Sequence, residues 1–390
     1  MTARITGEEL DALIERVFHP TPDDHRLAIL VDLPDGVVPD NDDWKIRRDL
    51  AQNWARALSA RREQSGRSVS LVLYRNARAN NADLPAQAWV WDAERIASQS
   101  LPASADDLDP AEALAMDDVL ATHSLVLAPT EFSATAPLKI AAPKHGLSAA
   151  TMPGFLPSMI PALRLDYSEI NRRCEVLKDL LDRAERARFV FVVDGTDRHE
   201  LTLDLRYRTA HASGGLIRER GRAGNLPSGE TYIVPYEGEQ PGARSRSEGT
   251  LPVQFEDEVV VYRIVENRAV EVLDADRGGR AASEADRLRD EPAYGNIAEL
   301  GLGVLDAFGV EPCGEVLLDE KLGLHIAFGR SEHFGGQVGP GDFSAPDKVV
   351  HIDRVYVPLL QPRVAVRQVA LDLPDGEIEL MRDGSYAIRF

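Results

Sequence analysis

Four carboxylates and two imidazoles are spaced through the second half of this 390-residue chain, each in a setting that would fix its side chain. Glu230 closes the segment Asn225-Leu226-Pro227-Ser228-Gly229-Glu230, and Glu299 stands in Ala298-Glu299-Leu300-Gly301. Glu320 and His325 bracket Lys321-Leu322-Gly323-Leu324, and His351 and Asp353 flank Ile352. Carboxylates bridge cations, and neutral imidazole suits zinc, cobalt, manganese or iron. Six such groups exceed the needs of one divalent ion and suit a pair. Two ions held together by protein groups imply an activated water and a polarised carbonyl or phosphoryl group.

The elements that carry these residues read as follows. Val349–Asp353 has strand character, and a period of two puts His351 and Asp353 on one face, where they can chelate together. Glu230 follows a Pro-Ser-Gly turn and opens a strand, a firmer base than a loose loop. Glu299 reads as the start of a helix leading into Gly301-Leu302-Gly303. Upstream, Arg26–Leu33, Val69–Tyr74 and Ser124–Ala128 are apolar strand-like runs, alternating with helical patterns over Asp43–Glu63 and Ala111–Leu120. Such alternation implies an α/β domain with a mostly parallel sheet. Thr151–Gly154 and Pro157–Pro161 read as a linker, and Tyr167–Arg186 as a charged helix. Short strands then follow at Phe189–Val193, Glu200–Leu205, Tyr232–Val234, Val259–Val265 and Val270–Leu273, with a polar helix or loop over Asp274–Asp290. The expectation is two domains: residues 1–155, α/β, and residues 156–390, a β-rich α+β metal-binding domain.

Composition narrows the partners. A formal net charge of −20 argues against nucleic acid, which wants a basic face. No run of about 18 apolar residues exists to cross a membrane. Met1–Phe18 has Leu10, Leu13, Ile14 and Phe18 at helical spacing among acids, the pattern of an amphipathic surface helix and not of an export signal. Cys174 and Cys313 match no thiolate metal spacing and read as reduced thiols, so the expected compartment is cytoplasmic.

The motifs, in this order, resemble the aminopeptidase T family of metallopeptidases, the thermophilic leucyl aminopeptidases. The resemblance rests on Gly195-Thr196-Asp197 with Leu203–Arg206, on Gly224–Glu230, Asn296–Gly303, Glu320–Gly329 and His351–Asp353, and on Ser133–Ala136 and Thr151–Gly154. It spans most of the chain. It implies two divalent ions, zinc, cobalt or manganese, in a cavity between the two domains of a homodimeric enzyme acting on a peptide or small amide. By motif, the ligands fall on Glu230, Glu299, Glu320, His325, His351 and Asp353, with Glu299 shared or activating water. The family's catalytic tyrosine, a few residues beyond the position of His325, has no counterpart in Gly329–Gly336. Glu332 or His333 is the expected proton donor in its stead. Arg206 and Arg330 are candidates for a substrate carboxylate, His211 for lining the site, and Ser133 and Thr135 for further substrate contacts.

The chain is also similar to 2,5-dihydroxypyridine 5,6-dioxygenase, which implies a different chemistry: one ferrous ion on His325, His351 and Asp353, with ring cleavage by oxygen. That relative has a histidine where this chain has Glu299. Six ligand candidates and Glu299 favour the hydrolase. A third reading, a tailoring enzyme or a metal-binding protein without turnover, rests on the absent tyrosine and is opposed by the full ligand set.

Overall fold

The computed structural model describes residues 4–390, Arg277 by its backbone alone. Contacts divide the chain into two compact units, Met1–Ile170 with Gly215–Ser228, and Asn171–Gly214 with Gly229–Phe390.

The first unit holds a seven-stranded sheet in the order Ala223–Asn225, Ser148–Thr151, Leu125–Ala128, Arg26–Leu33, Ser68–Arg75, Gln87–Trp91, Leu114–Ala115. The first five strands pair in parallel and the last two antiparallel. Arg26–Leu33 is central and buried from Leu27 to Leu33, which accounts for its unbroken apolar run. Of the helix expected from Met1, residues 1–3 lie outside the described residues; the helix runs Gly7–Phe18 behind a capping box of Thr6 and Glu9 and buries Leu10, Leu13, Ile14, Val17 and Phe18. The second helix is Asp42–Ser59, capped by Asn41.

Two expectations need correction here. Ala111–Leu120 is not one helix: Pro110–Glu112 is a 3-10 turn, Leu114–Ala115 an edge strand, and the helix is Met116–Ala121. Pairing of Leu114 and Ala115 with Ala88 and Gln87 overrides local helical propensity. The expected linker also carries structure, since Thr151 ends a buried strand and Pro157–Met159 and Ile160–Leu163 are short helical turns. At the carboxyl ends of these strands the Asn225 Oδ1 accepts from the hydroxyls of Thr151 (2.7 Å) and Thr135 (3.1 Å).

The second unit contains two antiparallel sheets. The larger has eight strands, in the order Arg268–Val272, Glu258–Val265, Glu248–Phe255, Asp197–Asp204, Arg186–Val193, Val364–Leu373, Gly376–Arg382, Ser385–Tyr386. The smaller has five: His351–Val355, Leu324–Gly329, Ile297–Gly303, Glu230–Ile233 and His211–Ser213. The polar stretch expected over Asp274–Asp290 supplies the helix Gly279–Asp290, whose buried Glu284 accepts from the Tyr262 and Tyr294 hydroxyls at 2.9 and 2.8 Å. Neither Cys174 nor Cys313 is in a disulfide among the described residues, and no helix among them is long and apolar enough to cross a membrane.

One buried acid makes the first unit pH-sensitive. The Asp35 carboxylate accepts from the backbone amides of Val38 (2.7 Å) and Val37 (3.0 Å) and from Arg75 (2.9 Å). Burial works against its charge, but the Val38 amide and Arg75 overcome that and hold its pKa at about 2. A depressed carboxylate stabilises the fold above its unfolded value near 3.8 and loses that contribution as pH falls through about 2. Asp35→Asn is therefore expected to cost on the order of 2 kcal/mol at pH 6. The gap to wild type should shrink between pH 4 and pH 2, read by urea unfolding at each pH; a gap that stays constant would refute the assignment.

Candidate metal centre

Every strand of the five-stranded sheet contributes to one face. Alternation places Glu230 with Tyr232, Glu299 with Gly301, His325 with Ala327 and Gly329, His351 with Asp353, and His211 with Ser213 on common faces of their strands. Register then joins them across the sheet. Glu299 pairs with Ala327, which pairs with Asp353; Tyr232 pairs with Gly301, which pairs with His325. Tyr232 also pairs with His211, and Gly329 with His351. The functional side chains thus alternate with Gly301, Ala327 and Gly329, which leave room above the sheet. Gly301 shows how tight this is: a Cβ there would stand 1.8 Å from His325 Nε2. Gly229, with φ of 152°, turns the chain into Glu230 in a conformation that side chains resist.

Glu299 is the hub. Its Oε1 lies 3.3 Å from His325 Nε2 and its Oε2 lies 3.2 Å from His351 Nε2. Each imidazole turns Nδ1 towards a backbone carbonyl, His325 to Gly323 at 3.3 Å and His351 to Arg330 at 2.8 Å, so both present Nε2 to the centre. That is how metal-binding histidines are oriented. Two sets of donors sharing Glu299 result, Glu230–Glu299–His325 and Glu299–His351–Asp353, with ligand atoms mutually within 4.8 Å in each set. Each set contains one buried carboxylate oxygen that accepts no hydrogen bond, Glu230 Oε2 and Asp353 Oδ1. Such orphaned oxygens are costly unless a cation satisfies them, so the donors fit divalent metal.

The charges here respond to one another. Burial opposes a charged Glu299, yet His325 and His351 hold its carboxyl far below the usual range. Burial opposes a charged His325, and Glu299 and Glu230 overcome it, raising the pKa to about 9. His351 is likewise raised, by Asp353 and Glu299. Burial pushes Glu320 upward, against the Lys321 ammonium.

An aromatic wall stands beside the ligands. Tyr232 stacks on His211 (centroids 5.2 Å apart) and meets Phe334 at 4.8 Å; Phe334 contacts His333 at 3.9 Å and His351 at 5.4 Å. The turn bearing His333 and Phe334 is held by Glu237. Its Oε1 accepts from Ser331 Oγ (2.6 Å) and Asn296 Nδ2 (2.7 Å), and its Oε2 from the Gln337 amide (2.5 Å) and Arg208 (3.1 Å).

No protein-family model matches the sequence, and no curated protein matches it. Solved structures do. The 2,5-dihydroxypyridine dioxygenase from Pseudomonas putida KT2440 superposes with a TM-score of 0.59 at 15% identity, covering 99% of each chain. AmpT, an aminopeptidase T, from Thermus thermophilus superposes with a TM-score of 0.52 at 16% identity, covering 98% of this chain and 99% of that one. The relation is one of fold. It extends over the whole chain, and the two-domain α/β architecture is shared.

Five of the six expected ligands fall within the two donor sets; Glu320 falls in neither and is ion-paired with Lys321. Glu299 lies in a strand and not at a helix start. Its strand is buried at every position and sits between two others, so no alternation shows in the sequence. Glu332 is held in a two-point ion pair by Arg330 (2.7 and 2.5 Å), which engages both residues locally and lowers the Glu332 pKa. Arg206 is paired with buried Asp204 at 2.9 and 2.6 Å. His333 and His211 join the aromatic wall, and burial followed by the neighbouring His351 charge lowers His333 to about 4.

Three contributors escaped the sequence reading. Lys321 and Glu237 carried no local signal. Tyr232 did, being two residues from Glu230 on a strand; its pKa is raised by burial and by the Glu299 and Glu230 carboxylates.

Gly301→Ala should displace the His325 ring and weaken metal retention roughly 10- to 100-fold. Metal content after dialysis against a weak chelator measures it, and wild-type retention would show that His325 does not depend on the bare glycine.

Proposed function

We propose that this protein is a metal-dependent hydrolase of aminopeptidase type, using a two-ion centre to cleave an amide or peptide bond. The observation that carries this reading is Glu299, whose two oxygens face different imidazoles and join two donor sets, each with its own unsatisfied carboxylate oxygen. Divalent ions bound there would acidify a water and polarise a substrate carbonyl. Glu230, Glu299 and His325 would hold one ion, and Glu299, His351 and Asp353 the other. The chain's own residues would do the rest. Glu299 is the carboxylate placed to take the proton from water. Tyr232, on the same face as Glu230, offers a hydroxyl for a developing oxyanion, a role that the segment after His325 leaves unfilled. His333, on the turn held by Glu237, is the remaining group placed to carry a proton to the leaving amine.

Glu299→Gln should lower turnover of aminoacyl amides by about 10²–10⁴-fold. Tyr232→Phe should lower kcat with metal content unchanged. Unaltered rates in both variants would remove these roles.

A second reading, a mononuclear ferrous ring-cleaving dioxygenase, is favoured by the aromatic wall of Tyr232, Phe334 and His333 and by the likeness to the dihydroxypyridine dioxygenase. Metal analysis of protein purified without added metal separates the two. About two zinc, cobalt or manganese ions per chain supports the hydrolase. One iron per chain, with oxygen uptake on hydroxylated aromatic rings, would replace it with the dioxygenase.

A further inference from the structure

Lys321 is fully buried, yet it lies in the midst of acidic ligands. Its Nζ is 2.5 Å from Glu230 Oε1 and is also ion-paired with Glu320 Oε1. The other oxygen of Glu230 is the orphan of the first donor set, 3.5 Å from His325 Nε2. Glu230 therefore divides its carboxylate, one oxygen for an ammonium and one for the centre. The backbone of Lys321 cannot drift away easily. Its carbonyl accepts from the Leu305 amide at 2.8 Å, its amide donates to Leu318 O at 2.9 Å, and a Cβ on Gly303 would come within 2.2 Å of its carbonyl carbon.

We infer that Lys321 is a built-in cation that makes the two metal positions unequal. An ion at Glu230–Glu299–His325 shares a carboxylate with this ammonium, is repelled by it at close range in a buried setting, and is denied Glu320 as an extra ligand. An ion at Glu299–His351–Asp353 shares no carboxylate with Lys321. The His351–Asp353 position fills first and tightly, and the Lys321 side is the exchangeable position. This rests on the metal-binding reading above and assigns the order of loading and the residue that sets it.

The test is a calorimetric titration of the full chain, stripped of metal by chelator, with zinc chloride. Wild type is expected to bind two ions in separate steps at least 10-fold apart in affinity. Lys321→Met, checked for native fold by circular dichroism, should tighten the second step at least 10-fold and leave the first unchanged. Lys321→Arg should keep the gap. Two indistinguishable steps in wild type, or a Lys321→Met isotherm that matches wild type, would overturn the inference. The wild-type isotherm decides even if Lys321→Met fails to fold. Absence of any stoichiometric binding would sink the metal reading itself, and the loading order with it.

Discussion

Four carboxylates, those of buried Glu230 and Glu299 and half-buried Glu320 and Asp353, are crowded together in the second unit, and that arrangement is untenable without compensating positive charge. Burying an isolated carboxylate costs several kcal/mol, so the surroundings must supply cations or protons. Lys321 supplies one fixed charge, and the two imidazoles supply others by taking up protons. Each counter-charge is geometrically specific. Lys321 serves Glu230 and Glu320; His325 serves Glu299 and Glu230; His351 serves Glu299 and Asp353. Divalent ions would take over the part played by the protons and not the part played by the lysine, because burial lowers the Lys321 pKa less than Glu230 and Glu320 together raise it, which keeps its nitrogen protonated.

The sheet makes this crowding sterically possible. Strand alternation gives every other residue to one face, and on that face the large polar side chains are interleaved with Gly301, Ala327 and Gly329. The same rule explains why Tyr232 and His211 flank the ligands: they occupy the next columns of the same register. A second polar system, centred on Glu237, fixes the turn that bears His333 and Phe334, with each oxygen of the carboxylate accepting two hydrogen bonds.

Much of this was legible in the sequence, for identifiable reasons. His351-x-Asp353 announces a shared face through strand alternation alone, and the apolar runs of the first unit announce buried strands. The strand of Glu299 was not legible. Ile297-Ala298-Glu299-Leu300 is rich in helix formers, and a central strand buried on both faces shows no period of two, so tertiary pairing decided against local preference. Lys321 was illegible for another reason. In Glu320-Lys321-Leu322-Gly323 it reads as a solvated turn residue, and its burial depends on Glu230, 91 positions away. Arg206 shows the converse: expected to hold a substrate carboxylate, it is paired with Asp204 only two residues away in the sequence.

The dispersal of the ligands along the chain has a kinetic consequence. Glu230 precedes Asp353 by more than a hundred residues, and no two adjacent strands of the centre are joined by a short hairpin that could assemble a complete donor set. In a growing polypeptide the set Glu299–His351–Asp353 stays incomplete until the strand His351–Val355 has been synthesised and added at the edge, whereas Glu230–Glu299–His325 needs the chain only as far as Leu324–Gly329. Long-range pairing of this kind closes late, after its loop entropy has been met. The paired arrangement around Glu299 is thereby a late product of biogenesis, and a chain interrupted just before its last ligand strand would carry the donors Glu230, Glu299 and His325 and lack the second set.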